Sequence, residues 1–77
     1  MEKILELLKE IRPEFDFENS TDFIEDGYLD SFDIAALVEM IENAFGIVID
    51  GLDILPENFQ NIDSIIKVIG KNGGKTE

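Results

Sequence analysis

Apolar residues recur every three or four positions in three stretches of the chain, and the segments between them lack this period. The first stretch covers residues 1–11, the second starts near Asp30 or Ser31, and the third ends at Lys71. This spacing predicts three amphipathic helices, each with one apolar face. The three faces consist of Ile4, Leu5, Leu7, Leu8 and Ile11; Ile34, Leu37, Val38, Ile41 and Phe45; and Ile62, Ile65, Ile66 and Ile69.

Local signals indicate where these helices begin and end. Pro13 ends the first helix, because the residue before a proline is pushed out of the helical conformation. Asp30 is a good N-cap for the second helix, Asp33 adds a carboxylate to its first turn, and Gly46 is a natural C-cap. A further short helical turn is expected over residues 56–59. The predicted fold is therefore a small all-α bundle of three main helices plus one short helix.

The segments between the helices are also informative. Residues 13–30 are predicted to form a long loop between the first two helices, and such loops are usually functional or disordered. Its apolar side chains predict that it packs against the helices. Residues 47–49 are expected to be an extended connector, because the chain offers no second strand to pair with them. We expect a single domain over residues 1–72 and a frayed tail over residues 73–77.

Charge is distributed very unevenly along the chain. The net charge is −12, and residues 13–66 contain 14 of the 18 acids but none of the six cations. This charge argues against binding to nucleic acids or to anionic membranes. No apolar run is long enough to span a bilayer, and we expect a cytoplasmic protein. Mutual repulsion is expected to raise the carboxyl pKa values and to increase stability as the pH falls from 7 towards about 5.

The chain contains no cysteine and no histidine. Disulfides and zinc–thiolate sites are therefore excluded, and the most common general base of enzymes is absent. A serine nucleophile of the hydrolase type lacks the base that it needs. We therefore expect a binding or carrier protein rather than an enzyme.

Ser31 is the candidate for chemistry, because it follows the long loop and opens the second helix. A phosphate attached to it would lie at the positive end of the helix dipole. The alternative is that Ser31 only caps the helix, and the same Asp-Ser-apolar pattern recurs at Ser64. The long loop with Gly27 and Leu29 distinguishes Ser31 from Ser64 and favours a function at Ser31.

The run from Asp26 to Phe32, followed by a helix that ends in Phe45-Gly46-Ile47, resembles the acyl carrier protein family, which includes peptidyl and D-alanyl carrier domains. The resemblance extends over nearly the whole chain. It implies that Ser31 carries phosphopantetheine, transferred from coenzyme A by a phosphopantetheinyl transferase (holo-carrier synthase) with magnesium. It also implies an acyl- or aminoacyl-loading ligase, downstream acyl-processing enzymes and a thioester on the cofactor thiol.

The resemblance also assigns roles residue by residue. The attachment motif consists of Asp30 and Ser31, and the family's partner-recognition positions correspond to Phe32, Asp33, Glu39 and Glu42. Four positions depart from fatty-acid carriers, which have more acids on this helix: Ala35, Ala36, Asn43 and Ala44. The run from Leu29 to Phe32 is slightly more similar to D-alanyl and other stand-alone aminoacyl carriers. A monomer without a metal site is expected.

Two other interpretations stay open from the sequence. One is an unmodified acidic helical module that only binds other proteins. The other is an EF-hand-like calcium loop aligned on Gly27, in which Ile24 stands where an oxygen ligand is needed and the last ligand is not the usual glutamate. Its ligands would be the carboxylates of Asp22, Asp26, Asp30 and Asp33.

Overall fold

The structure is a computed structural model that describes residues 2–75. Within these residues there are three α-helices, three short 3₁₀ helices and no β-strand. The α-helices are α1 (Glu2–Ile11), α2 (Ser31–Phe45) and α3 (Ile62–Lys71), and the 3₁₀ helices are Phe17–Asn19, Gly51–Asp53 and Pro56–Phe59. The predicted all-α bundle is confirmed, with the long first loop and the short helix at Pro56–Phe59, whereas the other two 3₁₀ helices were not predicted. None of the described helices combines the length and apolarity needed to cross a membrane.

A single apolar core joins the three helices to the loop between α1 and α2. The predicted apolar faces supply most of it, although five of their residues lie at its edge: Leu5, Ile11, Phe45, Ile62 and Ile66. Val68, which the predicted face of α3 omitted, is buried as well. The buried apolar residues are Ile4, Leu7, Leu8, Phe17, Phe23, Leu29, Ile34, Leu37, Val38, Ile41, Ile49, Phe59, Ile65, Val68 and Ile69.

Aromatic rings fix the loop between α1 and α2 to the core, as its apolar content predicted. Phe17 and Phe23 are almost completely buried, and their rings meet edge to face with centroids 5.0 Å apart. Phe15 stacks on Tyr28 at 4.4 Å with nearly parallel planes. Because these contacts join the first part of the loop to its last part, the loop is a packed element and not a flexible linker.

Backbone hydrogen bonds hold the end of this loop in place. The carbonyl of Phe23 accepts from the N–H groups of Tyr28 and Leu29 at 2.8 and 3.2 Å. The N–H of Phe23 donates to the carbonyl of Gln60 at 2.6 Å, just before α3. Gly27 adopts a φ of +74°, which favours glycine over other residues at this turn. The segment that leads into α2 is thus attached to the segment that leads into α3.

Residues 47–49, the predicted connector, are neither helix nor strand, with Ile49 buried and Val48 exposed. The connector is held by α2, because Glu42 Oε2 accepts from the Ile49 N–H at 2.9 Å. Gly46, in the left-handed conformation with φ of 65°, ends α2 as expected.

Beyond α3, the N–H groups of Gly73 and Gly74 donate to the carbonyls of Gly70 and Ile69 at 3.2 and 2.8 Å. The frayed tail expected over residues 73–77 stays a prediction, and residues 76 and 77 lie outside the described residues.

Folding brings cations from the chain ends onto the acidic middle segment. Lys9 Nζ lies 3.2 Å from Glu18 Oε1, and Lys71 Nζ lies 2.8 Å from Asp53 Oδ1. Arg12 contacts three carboxylates of the segment. Charges that are separated along the sequence are therefore partly paired in space.

Candidate functional site

Ser31 is the first residue of α2, and its side chain is exposed. The residue before it, Asp30, is the N-cap and has an extended backbone with φ −113° and ψ −173°. The chain therefore changes from extended to helical between these two residues. This change places the Ser31 hydroxyl at the positive end of a 15-residue helix, accessible from solvent.

A reciprocal capping box surrounds Ser31. Asp30 Oδ1 accepts from the Asp33 N–H at 2.9 Å, and Asp33 Oδ2 accepts from the Asp30 N–H at 3.2 Å. The Asp30 carbonyl accepts from the Ile34 N–H at 2.9 Å, which closes the first helical hydrogen bond. Because Ser31 and Phe32 lie between the two aspartates, their backbone positions are fixed from both sides.

Arg12 is the cation of this site, and no local pattern in the sequence predicted a role for it. Its Nε donates to Asp33 Oδ2 at 3.1 Å, and its other guanidinium nitrogens lie 3.8 Å from Asp30 Oδ2 and 3.6 Å from Glu14 Oε2. The Asp33 side chain is only 12% exposed, whereas that of Asp30 is 60% exposed. Arg12 therefore holds the buried member of the capping box directly.

These contacts shift two pKa values. The Asp33 N–H, which donates to the Asp30 carboxylate, is the main reason that the pKa of Asp30 is lowered, and the Arg12 charge adds to this effect. The hydrogen bond to Asp33 is the main reason that the pKa of Arg12 is raised. Asp30 and Arg12 are therefore both charged at neutral pH.

The predicted recognition residues have two kinds of environment. Phe32 is 85% exposed, and Glu39 is exposed on the same helix. Asp33 is buried in the capping box, and Glu42 is half-buried with one carboxylate oxygen on the Ile49 N–H. The structure thus leaves Phe32 and Glu39 open to a partner, and it engages Asp33 and Glu42 in contacts within the fold.

Ser64 differs from Ser31 although both follow an aspartate. α3 begins at Ile62 with Asn61 as its N-cap, so Ser64 is the third residue of its helix rather than the first. Ser64 is half-buried, and its N–H donates to Asn61 Oδ1 at 2.7 Å. The repeated sequence pattern therefore produces two different positions, and only Ser31 combines exposure with the first position of a helix.

The four carboxylates that the EF-hand interpretation assigns as calcium ligands accept hydrogen bonds within the fold. Asp22 Oδ1 accepts from the N–H groups of Ile24 and Glu25, and Asp26 Oδ2 accepts from Ser20 Oγ at 2.6 Å. The other two carboxylates form the capping box described above. Among residues 2–75 no group of three or more potential ligands is arranged to hold a metal ion.

The geometry around Ser31 fits a covalently attached phosphodiester. The hydroxyl is exposed, the helix dipole favours a negative group there, and the Arg12 guanidinium offsets the neighbouring carboxylates. The side chain therefore has room for an attached chain and a local field that tolerates its phosphate.

A comparison with models of known protein families identifies the kind of domain. The family model described as "Phosphopantetheine attachment site" matches residues 2–69. Searches of curated proteins and of solved structures found no significant match. The family match covers α1, the long loop, α2 and all but the last two residues of α3. We conclude that the chain belongs to the phosphopantetheine attachment family of acyl and peptidyl carrier proteins, whose domains bear phosphopantetheine covalently and are typically not catalytic themselves.

Proposed function

We propose that Ser31 is the residue that carries the phosphopantetheine of this carrier protein, within a single carrier domain over residues 1–72. The observation that carries this proposal is the position of Ser31 as the exposed first residue of α2, enclosed by the Asp30–Asp33 capping box. The family resemblance assigns the attachment to the same serine. Ser64 lacks both the exposure and the position.

In the loading reaction, Ser31 Oγ bonds to the phosphorus that bears pantetheine in coenzyme A. The bond from that phosphorus to the oxygen of the leaving adenosine 3′,5′-bisphosphate breaks, and the serine proton passes to a base. The chain has no histidine, and the two carboxylates beside Ser31 accept hydrogen bonds in the capping box, so in this proposal the transferase supplies the base. The role of this chain is to present the hydroxyl in a fixed place and in a suitable field.

Once attached, phosphopantetheine supplies a terminal thiol that holds cargo as a thioester, which agrees with the absence of cysteine from the chain. The cargo is an acyl or aminoacyl group. Of the two we propose an aminoacyl group, because the run from Leu29 to Phe32 is slightly more similar to stand-alone aminoacyl carriers. A loading ligase and downstream acyl-processing enzymes are the partners that follow. The cytoplasmic location and the monomeric state stay predictions.

Partner recognition is proposed to centre on the exposed side of α2 next to Ser31. Phe32 offers an apolar side chain that is almost fully exposed, and Glu39 offers a charge about two turns further along. Ala35 and Ala36, both exposed, make this side less acidic than the −12 net charge suggests. A partner that places an apolar pocket on Phe32 and a cation near Glu39 fits this surface.

Co-expression with a phosphopantetheinyl transferase of broad specificity, followed by intact mass measurement, tests the proposal. The wild-type protein and Ser64→Ala should gain the mass of one phosphopantetheine, and Ser31→Ala should gain none. Ser31→Ala should stay folded, because the Ser31 hydroxyl takes no part in the hydrogen bonds of the capping box. A protein that stays unmodified under every condition would favour the simple interaction module instead.

A further inference from the structure

We propose that Arg12 is a positioning residue for the loading of Ser31. It acts through the Asp30–Asp33 capping box rather than by contact with the reacting atoms. This proposal rests on the proposed function, because it assumes that Ser31 is the loaded serine.

The first observation is where Arg12 lies along the chain. It directly follows α1 and directly precedes the loop of residues 13–30. Its N–H donates to the Leu8 carbonyl at 2.9 Å, so its backbone is still attached to the last turn of α1. Its side chain contacts Asp30 and Asp33, at the other end of the loop. One residue thus connects both ends of the loop that delivers Ser31.

The second observation is which atom Arg12 holds. Asp33 Oδ2 accepts both from Arg12 Nε and from the Asp30 N–H, at 3.1 and 3.2 Å. The guanidinium therefore fixes the same oxygen that completes the capping box around Ser31. Loss of Arg12 would leave this oxygen with one donor, so that only the Asp30 N–H would hold the buried carboxylate in the capping box.

The third observation concerns charge. Three carboxylates converge on Arg12, from Glu14, Asp30 and Asp33. The Asp33 side chain is only 12% exposed, so water compensates its charge poorly if the cation is removed. Repulsion from the more exposed Asp30 would then favour opening of the capping box. Arg12 is the only cation that contacts these acids among residues 2–75.

A kinetic comparison of Arg12→Gln with the wild type separates positioning from other roles. If Arg12 positions Ser31, kcat for loading by the transferase should fall about tenfold at a temperature where both proteins are folded. If Arg12 were only a surface charge, its removal would make the chain more acidic. A basic transferase would then bind more tightly, so KM would fall and kcat would stay constant. If Arg12 only stabilised the fold, the folded variant would keep both constants.

A double variant tests the mechanism through Asp33. In Arg12→Gln with Asp33→Asn, the buried charge is removed together with its partner, and the asparagine oxygen still accepts from the Asp30 N–H. We expect the double variant to regain most of the kcat that Arg12→Gln loses. Arg12→Lys keeps the charge without the guanidinium geometry and should be intermediate. Lys9→Gln is the matched control, because it removes an α1 cation whose partner is Glu18, and it should load like the wild type.

Two results would overturn the proposal. One is a wild-type kcat for folded Arg12→Gln, and the other is a double variant that is no faster than Arg12→Gln. If Arg12→Gln proves unfolded at the assay temperature, comparison of Arg12→Lys with Lys9→Gln decides, and equal kcat values would contradict the proposal. Loading of Ser31→Ala would instead contradict the proposed function, so the two failures are distinguishable.

Discussion

Lys71 Nζ lies 2.8 Å from Asp53 Oδ1, so the last residue of α3 is paired with a carboxylate of the acidic segment. The other oxygen, Asp53 Oδ2, accepts from Asn72 Nδ2 at 3.3 Å. The Asp53 side chain is 10% exposed, and these two donors compensate its charge. The hydrogen bond to Lys71 is the main reason that the pKa of Asp53 is lowered from its ordinary value.

Because of this pairing, the contribution of Asp53 to the free energy of unfolding decreases as the pH falls. Uniform repulsion between carboxylates would make the free energy of unfolding increase instead. The sequence predicted raised carboxyl pKa values, but those of Asp30 and Asp53 are lowered, because each has specific donors. A carboxyl with a lowered pKa adds stability above its unfolded pKa of about 3.8 and loses it as the pH falls through the folded value. For these two residues the expectation of raised values is therefore wrong.

The first prediction follows from this sign. We expect the Asp30 and Asp53 contributions to stability to be constant between pH 7 and about pH 5 and to be lost below about pH 4. Asp53→Asn should have a lower Tm than the wild type at pH 7. On acidification its Tm should decrease by less than that of the wild type. Melting curves at several pH values measure this, with exposed Asp63→Asn as the control. An Asp53→Asn variant as acid-sensitive as the wild type would contradict the prediction.

The second prediction concerns the aromatic attachment of the long loop. Phe23→Ala should reduce the free energy of unfolding by about 3–5 kcal/mol, because the ring is fully buried against Phe17. Phe15→Ala should reduce it by only about 1–2 kcal/mol, because its ring is half-buried and stacks on Tyr28. Urea unfolding measures both values. Equal losses would contradict the prediction that the buried Phe23 ring anchors the loop more strongly than the half-buried Phe15 ring.

The third prediction separates two glutamates on α2. Glu42→Ala should reduce the free energy of unfolding by about 1–2 kcal/mol, because it leaves the Ile49 N–H without its acceptor. Glu39→Ala should change it by less than about 0.5 kcal/mol, because Glu39 is exposed. In loading assays the position with the larger effect should be Glu39 instead of Glu42. Glu39→Lys should therefore be loaded more slowly than Glu42→Gln. A faster Glu39→Lys would contradict the proposed contact surface.

The fourth prediction concerns Phe32. Phe32→Ala should leave stability nearly unchanged, because the side chain is 85% exposed in the free protein. It should lower kcat/KM for loading about tenfold, mainly by raising KM, because a partner that buries the ring loses apolar contact area. Steady-state loading kinetics measure this, with exposed Val48→Ala as an apolar control outside α2. Equal effects of the two variants would place recognition elsewhere.

Local sequence signals were sufficient for the helices, the caps and the candidate serine. The apolar period gives α1, α2 and α3, and both Asp30 and Gly46 have the capping roles that their types predict. The pairing of Arg12 with Asp33 could not be predicted, because the two residues are 21 positions apart and only the folded loop brings them together. Its one signal in the sequence is that Arg12 is the last cation before the acidic segment.

The recognition surface shows the same limit. Helical spacing places Glu42 near the edge of the apolar face of α2, but it does not reveal that the connector turns back to donate its Ile49 N–H. It also does not distinguish a buried Asp33 from an exposed one, because burial depends on the end of α1 packing beside α2. Contacts between segments distant in sequence therefore decide which acids are free for a partner.

Mapping the modified residue by peptide mass spectrometry tests the central claim most directly. Trypsin is unsuitable, because residues 13–66 contain no lysine or arginine, and Ser31 and Ser64 stay on one fragment. Cleavage after glutamate separates them, since residues 26–39 contain Ser31 as their only serine or threonine. We predict that, after loading with coenzyme A and a transferase, only this peptide gains phosphopantetheine and its fragments place the gain on Ser31. Phosphopantetheine on the peptide that contains Ser64 would contradict the account.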